Sequence, residues 1–482
     1  MIIAKSFKGQ KIAVVGLGRT GVTAALSLVA GGAEVHAWDD NSTARKAAAE
    51  KDVPIISIAQ QDWRQYDALV LSPGIPDKLP KPHWSAQQAQ KHNVPIICDI
   101  EIFAREVNAC PVEARPKIIA ITGTNGKSTT TSLIGHILSA CGRDAQVGGN
   151  IGRGVLDLDS MHGGAYYVIE LSSYQLERTQ SLRANAAVFL NLSPDHLDRH
   201  GDMKAYEEAK SRIFLNQTSE DSVIVGVDNI EGKSLCTRLI AKNGRRIMPI
   251  SGKRSLGRGS CVVKGKLYCA LGSKVENVID LNSVLTLEGE HNWQNAAAAY
   301  AAVYAMGVDS KSIWRAIKTF PGLAHRMETI GTVGHLRYVN DSKATNADAA
   351  RQALKSYDNI YWIAGGVSKA GGIKDLEPFF SKVKKAYLIG EAGPQFKKTL
   401  SKAGVSNKVS GSLDLAILCA TKDALNAKGE EAIILLSPAC ASFDQFKNFE
   451  VRGDAFRLKT QEIIDMFERE KSGHALISGS AA

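Results

Sequence analysis

The sequence predicts an α/β protein of three domains: an N-terminal Rossmann-like domain, a central P-loop mononucleotide-binding α/β domain and a C-terminal Rossmann-like domain. Three observations predict it. Short apolar runs alternate with helix-patterned stretches, the rhythm of parallel sheets covered by helices. That rhythm restarts twice after Pro-containing breaks. The length, 482 residues, exceeds one ordinary domain. Hydrophobic residues make up 44% and charged residues 22%, a balance that supplies several buried cores and excludes disordered, collagen-like and membrane-channel classes.

The first segment, residues 1–110, opens with the strand-like Lys11-Ile-Ala-Val-Val15. Gly16-Leu-Gly-Arg-Thr-Gly21 follows it and opens a helix, the context in which a GxGxxG turn presents backbone N–H groups to phosphate. Asp39 and Asp40 end the next strand, about where a ribose-binding acid stands in dinucleotide enzymes. Taken alone, this segment reads as an NAD(P)-dependent oxidoreductase. A structural tight turn and a different phosphate-bearing substrate are the alternatives. Lys5, Lys8 and Lys11 precede an apolar run that stops at Arg19, too short for a signal peptide. Asn108–Pro116 reads as a linker, because Pro111 and Pro116 disfavour helix and lack a donor.

The second segment, 111–322, carries the most specific signal. Lys117-Ile-Ile-Ala-Ile-Thr122 leads into Gly123-Thr-Asn-Gly-Lys-Ser-Thr129. The glycines let backbone N–H groups approach phosphate, Lys127 supplies a cation for the β- and γ-phosphates, and Ser128 can ligate Mg²⁺. The longer P-loop spacing needs a glycine at 121, which is Ile121, so this is a shorter variant. Glu170 ends the apolar strand Tyr166–Glu170, on the edge where a carboxylate can hold Mg²⁺. Asn191-Leu-Ser-Pro-Asp-His196 puts Asp195 and His196 in a loop on the same edge. Lys210 lies in a helix-like stretch, where spacing alone makes it a solvated surface residue. His291–Val308, uncharged and Ala-rich, reads as a buried helix of a soluble protein rather than a membrane span.

The third segment, 323–482, restarts at Leu336-Arg-Tyr-Val-Asn340. Further strand-like runs begin at Ile360, Lys385 and Ala432. His325-Arg326-Met-Glu328 precedes Asn340-Asp-Ser-Lys-Ala-Thr-Asn346, where a strand delivers Asp341, Lys343 and Thr345 into one loop. An acid suits a ribose or a Mg²⁺-bound water, and Lys343 suits developing phosphate charge. After the last strong strand, Ser437-Pro-Ala-Cys-Ala-Ser442 turns tightly, and Ser442 is read as opening a helix N-terminus fit for a carboxylate. The eight cysteines lack a Cys-x-x-Cys pair and read as reduced core residues, Cys440 included, with no structural zinc.

The formal charge is +10, which suggests an acidic partner. Its location narrows that. From Lys233 to Lys274 there are eleven basic residues and no acidic one, and the remainder is near neutral. The window lacks an aromatic platform beyond Tyr268, so a nucleic-acid or anionic-membrane binder remains a rival reading resting on it alone. Val262–Tyr268 inside it reads as a small hairpin. Most of the window reads as a solvated surface excursion, with steering of anionic substrates or docking on an acidic partner as the alternative.

Together these motifs resemble the Mur ligases, cytoplasmic ATP-dependent enzymes that add amino acids to the UDP-linked peptidoglycan precursor. The resemblance spans nearly the whole chain. Gly123–Thr129 is shared across the family and its folylpolyglutamate synthase relatives, whereas Asn340–Asn346 and Ser437–Phe446 look like the D-glutamate-adding branch. A sister ligase adding another amino acid is the alternative within the family. The resemblance implies UDP-N-acetylmuramoyl-L-alanine, D-glutamate and ATP as substrates, two Mg²⁺ ions, a monomer, no nucleic acid and no membrane insertion. Gly18, Thr20, Asp39, Ser72, Gly74, Asn150 and His196 are then expected to hold the UDP-linked substrate. Gly123, Thr124, Asn125, Gly126, Lys127, Ser128 and Thr129 are expected to hold the ATP phosphates, with Asn292, Asn295, Arg326 and Asp341 on its adenosine side. Ser128 and Glu170 are expected to take one Mg²⁺, and His196 with a carbamylated Lys210 the second. Lys343, Thr345, Lys369, Ser442, Phe443 and Phe449 are expected to surround D-glutamate. Asp40-Asn41 departs from the family's Thr-Arg-like pair beside the uracil, and Gly365–Gly372 departs around Lys369. The implied reaction is amide formation through an acyl phosphate, with Lys127, Glu170, His196, Lys210 and Lys343 at its centre.

Overall fold

The structure, a computed structural model, describes residues 1–242, 244–270, 276–368, 371–427 and 431–478. The chain divides into two compact units, Met1–Phe320 and Pro321–Ala482.

The first unit holds two sheets. Strands β1 (Lys11–Val15), β2 (Glu34–Trp38), β3 (Ala68–Leu71) and β4 (Ile96–Ile97) form a parallel sheet in the order β2-β1-β3-β4. The second sheet comprises β5 (Lys117–Thr122), β6 (Asp144–Gly149), β7 (Ala165–Glu170), β8 (Ala186–Phe189), β9 (Ser222–Gly226), β10 (Arg246–Ser251), β11 (Gly259–Val263), β12 (Lys266–Ala270) and β13 (Glu276–Asp280). Its order is β13-β12-β11-β10-β9-β8-β5-β7-β6. Every pairing from β11 to β6 is parallel, and β12 and β13 add an antiparallel edge.

The alternation along β5 explains its central place. Ile118 and Ala120 face a core that also contains Ala24, Leu28, Phe103 and Leu156. Ile119 and Ile121 face a second core under the helices Lys127–Ala140 and Glu290–Ala305. Both faces are therefore covered, as a parallel strand requires. The Ala-rich helix is buried without a break from Gln294 to Val303, because small side chains let it lie close to the sheet. Ile2 N–H donates to Leu156 O at 2.8 Å, so the first sheet's flanking segment is hydrogen-bonded to the second sheet's layer.

In the second unit, β14 (Glu328–Val333), β15 (Leu336–Asn340), β16 (Ile360–Gly365), β17 (Val383–Ile389), β18 (Asn407–Gly411) and β19 (Ala432–Leu436) take the order β14-β15-β19-β16-β17-β18. All pairings are parallel except β14 with β15. Because β19 sits between β15 and β16, the loops after β15 and β19 emerge side by side at the C-terminal edge, the ligand crevice of an open α/β sheet.

Candidate active site

The loop after β5 is shaped by two glycines at positive φ, Gly123 at +149° and Gly126 at +85°. A Cβ on Gly126 would stand 2.2 Å from Asn295 Oδ1, so only glycine fits there. Asn191 fixes the loop, accepting from Asn125 N at 2.9 Å and donating to Asn125 O at 3.1 Å. Thr130 Oγ1 donates to Asn295 Oδ1 at 3.3 Å, and Asn295 Nδ2 donates to Asn292 Oδ1 at 3.2 Å. Gly123 to Thr129, Asn292 and Asn295 thus form one assembly around the N-terminus of the helix Lys127–Ala140, where the helix dipole and the first-turn backbone favour phosphate. Lys127 Nζ donates to Gly123 O and Thr124 O, both at 2.9 Å.

Glu170 closes β7, next to β5. Its Oε1 accepts from Asn150 Nδ2 at 2.9 Å. Its Oε2 is buried and has no hydrogen-bond partner, a costly state for a carboxylate oxygen that a cation relieves. With the buried Ser128 hydroxyl at the head of the neighbouring helix, this is a hard-oxygen pair suited to Mg²⁺, which takes few protein ligands and completes its shell with phosphates and water. Among the described residues no group of three or more His, Cys, Asp and Glu gathers as a metal cluster.

Lys210 is not a solvated surface lysine. It is 1% exposed, donates to Gly123 O at 2.9 Å and lies over the Tyr206 ring. Burial, seconded by the charge of Lys127, lowers its ammonium to about 7. His196 adopts φ +54°, pairs with Asp195 at 3.4 Å and sets its ring 5.0 Å from Tyr174 and 6.3 Å from Tyr206. Burial lowers its pKa, against the pull of Asp195.

In the first sheet, Gly16 at φ +93° passes so close to the loop after β3 that a Cβ would meet Ser72 Cβ at 2.5 Å. Gly18 caps the next helix and Thr20 lies in its first turn. Asp39 accepts from Leu17 N at 2.7 Å and from Asn41 N at 2.8 Å, so its carboxylate fixes the glycine turn itself. Asp40 is the acid that gathers side chains, taking bonds from Trp38, Trp84 and His83. Gly74 O faces Arg199 Nη1 at 3.5 Å.

In the second unit, Asp341 is buried, with Oδ1 accepting from Met327 N at 3.2 Å and Oδ2 from Ser437 Oγ at 2.7 Å. Burial pushes its carboxyl up to about 7. Asp341 N donates to Leu436 O at 2.7 Å, which joins the two loops. Arg326 sits in the same turn, its N donating to Leu323 O. Lys343 Nζ lies 5.6 Å from the Phe449 ring, and Thr345 N donates to Lys343 O. Phe443 is exposed. Ser442 corrects an expectation. It opens no helix: its carbonyl accepts from Gln445 N and Phe446 N, and the helix runs Phe449–Ser478, its first turn capped by Asn448 Oδ1 accepting from Val451 N at 2.8 Å. Lys369 lies outside the described residues, as does Lys274.

Asn191, Tyr206, Arg178 and Arg452 also shape the site, and local sequence pattern marks none of them. Arg452 is 1% exposed and donates to Ser342 O at 2.8 Å and Cys440 O at 3.1 Å. These are long-range partnerships, which no local motif announces.

Two α/β units with a phosphate loop, an unsatisfied carboxylate oxygen and a buried lysine on one sheet edge define an ATP-using enzyme. Family models match in sequence order: Mur ligase MurD-like, N-terminal domain over residues 10–98, Mur ligase middle domain over 121–303, and Mur ligase, glutamate ligase domain over 325–440. A UDP-N-acetylmuramoylalanine--D-glutamate ligase of Caulobacter vibrioides is 57% identical over 458 residues, spanning 95% of this chain and 97% of that protein. One of the same description from Rhizobium meliloti is 48% identical over 460 residues, spanning 95% and 97%. The chain belongs to the Mur ligase family and is a ligase. That membership sets aside the oxidoreductase reading of the isolated glycine turn. The fold is shared with solved structures at low identity: UDP-N-acetylmuramate-alanine ligase MurC from Thermotoga maritima (TM-score 0.54, 17% identity, 94% of this chain, 99% of that one) and a pseudomurein peptide ligase type C from Methanothermus fervidus (0.52, 18%, 94%, 100%).

Proposed function

We propose that this chain joins D-glutamate to UDP-N-acetylmuramoyl-L-alanine at the expense of ATP, as a cytoplasmic monomer in peptidoglycan precursor synthesis. The observation that carries the reaction class is the convergence of the Gly123–Thr129 loop, the unbonded Glu170 oxygen and the buried Lys210 on one sheet edge. The acceptor amino acid follows from the relatives, which carry the name of the D-glutamate ligase at up to 57% identity. Residues 1–110 hold the UDP-linked substrate, 111–322 hold ATP, and 323–482 hold the amino acid.

A carboxylate is a poor electrophile. Its attack on the γ-phosphate gives an acyl phosphate and ADP, and the D-glutamate amine then displaces phosphate through a tetrahedral intermediate. Two anions meet in the first step, so the site must supply positive charge that is already in place. The backbone N–H groups of the Gly126–Thr129 turn and the Lys127 ammonium supply it, and Lys343 offers a further cation. Gly18, Thr20, Asp39, Ser72, Gly74 and Asn150 serve the UDP-linked substrate. Asn292, Asn295, Arg326 and Asp341 serve the nucleoside end of ATP. Thr345, Lys369, Ser442, Phe443 and Phe449 serve D-glutamate. Ser128 and Glu170 would hold one Mg²⁺, and His196 with a carbamylated Lys210 a second. Bound there, Mg²⁺ neutralises phosphate charge. As an ammonium, Lys210 repels a metal. As a free amine it adds to CO₂, loses a proton and becomes a carbamate, an anionic oxygen donor.

The deciding measurement is phosphate release from ATP with UDP-N-acetylmuramoyl-L-alanine and a panel of D- and L-amino acids. Selective stimulation by D-glutamate is expected, and no stimulation by D-glutamate rejects the assignment.

A further inference from the structure

The loop after β3, Ser72–Asp77, is held from outside its own sheet by two guanidinium groups. Arg178 is 2% exposed. Its Nη1 donates to Leu71 O at 3.1 Å and Ser72 O at 3.0 Å, and its Nη2 donates to Ile75 O and Asp77 Oδ1, both at 2.6 Å. Arg199 adds a second arm. Its Nη1 reaches Gly74 O at 3.5 Å, and its Nη2 lies 3.8 Å from Asp77 Oδ1 and 3.5 Å from Glu177 Oε1. Its guanidinium also covers the Tyr174 ring at 4.5 Å. Carbonyls on both sides of Pro73 are thereby fixed, and Asp77, itself 8% exposed, receives both arginines.

The origin of the two arms matters. Arg178 lies on the segment that leaves β7 after Glu170, just beyond the Ser172–Gln175 capping box. Arg199 stands in the short helix Leu197–His200 that His196 precedes. The network therefore ties the Ser72–Asp77 loop to the two segments that carry Glu170 and His196. Ordinary packing does not need this: a buried arginine with four directed bonds is desolvated at high cost and fixes geometry rather than adding bulk stability. The same Ser72 approaches Gly16 so closely that a Cβ there is excluded, so the held loop is the wall beside the glycine turn.

We propose that Arg178, seconded by Arg199, is a positioning residue that registers the Ser72–Asp77 loop, and with it the muramoyl-peptide end of the UDP-linked substrate, against the Glu170–His196 edge. The assignment rests on the function proposed above for Ser72 and Gly74. Lysine at 178 keeps the charge but cannot fork to carbonyls on both sides of a turn. Asparagine at 77 keeps the shape but removes the charge that both arginines share.

The test uses the full-length protein carrying Arg178→Lys or Asp77→Asn, with wild type as reference. Binding of UDP-N-acetylmuramoyl-L-alanine is measured by calorimetry without ATP, and steady-state KM and kcat are measured for each substrate. The expected result is a loss of roughly tenfold or more in affinity and in kcat/KM for the UDP-linked substrate, with KM for ATP and for D-glutamate within about twofold of wild type. If Arg178→Lys fails to fold, Asp77→Asn carries the same readout. Unchanged affinity for the UDP-linked substrate overturns the inference, even where the thermal midpoint falls. So does an equal rise in all three KM values. Failure of the wild-type protein to bind UDP-N-acetylmuramoyl-L-alanine would instead reject the proposed function itself.

Discussion

Asp99 opens the helix Asp99–Ala109, is 4% exposed and has no hydrogen-bond partner on either carboxylate oxygen. Burial pushes its carboxyl up to about 6, while Gln175 and nearby backbone N–H groups favour the ion without reaching hydrogen-bond geometry. The folded state therefore prefers the protonated form. A raised carboxyl pKa binds protons more tightly in the folded chain, so its stabilising contribution is present below about pH 4 and is lost as pH rises toward 6, by on the order of 2–3 kcal/mol. Asp99→Asn removes that dependence. Denaturant unfolding of both proteins at pH 5 and pH 8 should show the variant gaining on wild type at the higher pH, and an equal difference at both would show Asp99 to be ionised without penalty. Lys210 makes a second residue-scale prediction. Lys210→Ala should reduce phosphate release by at least about a hundredfold, with partial recovery in added short carboxylates that replace the carbamate oxygen. Normal turnover in that variant removes Lys210 from the site. Of the two lysines, only Lys127 was legible as functional from local pattern, because a glycine loop after an apolar strand has a fixed chemistry. The burial of Lys210 depends on Gly123, a partner 87 positions away.

At the scale of elements, legibility followed the apolar runs. Strands β5, β7, β8, β16 and β19 are buried along nearly their whole length, and each announces itself as a hydrophobic block. The edge strand β18, Asn407-Lys-Val-Ser-Gly411, is mostly exposed, and β14 is exposed or half-buried over most of its length. With no face to bury, neither carries a periodic signal. The misread start of the last helix has a related cause. Serine at 442 is a good capping residue by type, but the turn uses its carbonyl, and Asn448 takes the cap. The P-loop makes the element-scale prediction. Gly126→Ala forces a left-handed residue against Asn295, at a strain of roughly 1–2 kcal/mol before the clash. The loop should shift away from the helix Glu290–Ala305. The expected outcome is a KM for ATP raised more than about tenfold, with the thermal midpoint lower by only a few degrees. Unaltered ATP kinetics would mean that the loop tolerates the displacement.

The whole molecule carries +10, and the architecture decides whether that charge can steer anionic substrates. The basic window occupies the helix Ile230–Ala241 and strands β10 to β12, and its Val262–Tyr268 stretch is the antiparallel β11–β12 hairpin. In the sheet order, β10 lies three strands from β5, and β11 and β12 lie further out. At about 4.8 Å per strand, charges on these strands stand roughly 14–24 Å from the phosphate loop across the sheet, whereas Lys253, in the loop after β10, pairs with Glu290 at 3.6 Å on the helix that carries Asn292 and Asn295. The screening length is about 8 Å at physiological salt and about 30 Å at 0.01 M. Steering by the strand-borne charges is therefore screened out under ordinary conditions and emerges only at low salt. Lys242, Arg246, Arg258 and Lys264 are exposed, so replacing all four with glutamine tests this without disturbing a core. At 0.15 M salt, kcat/KM for ATP and for the UDP-linked substrate should stay within about twofold of wild type. At 0.01 M salt the wild type should be several-fold faster than the variant, and the salt dependence of kcat/KM should flatten in the variant. A large loss at 0.15 M would instead place part of the window in direct contact with substrate. No difference at either salt would leave these four charges as a solvated surface with no part in substrate capture.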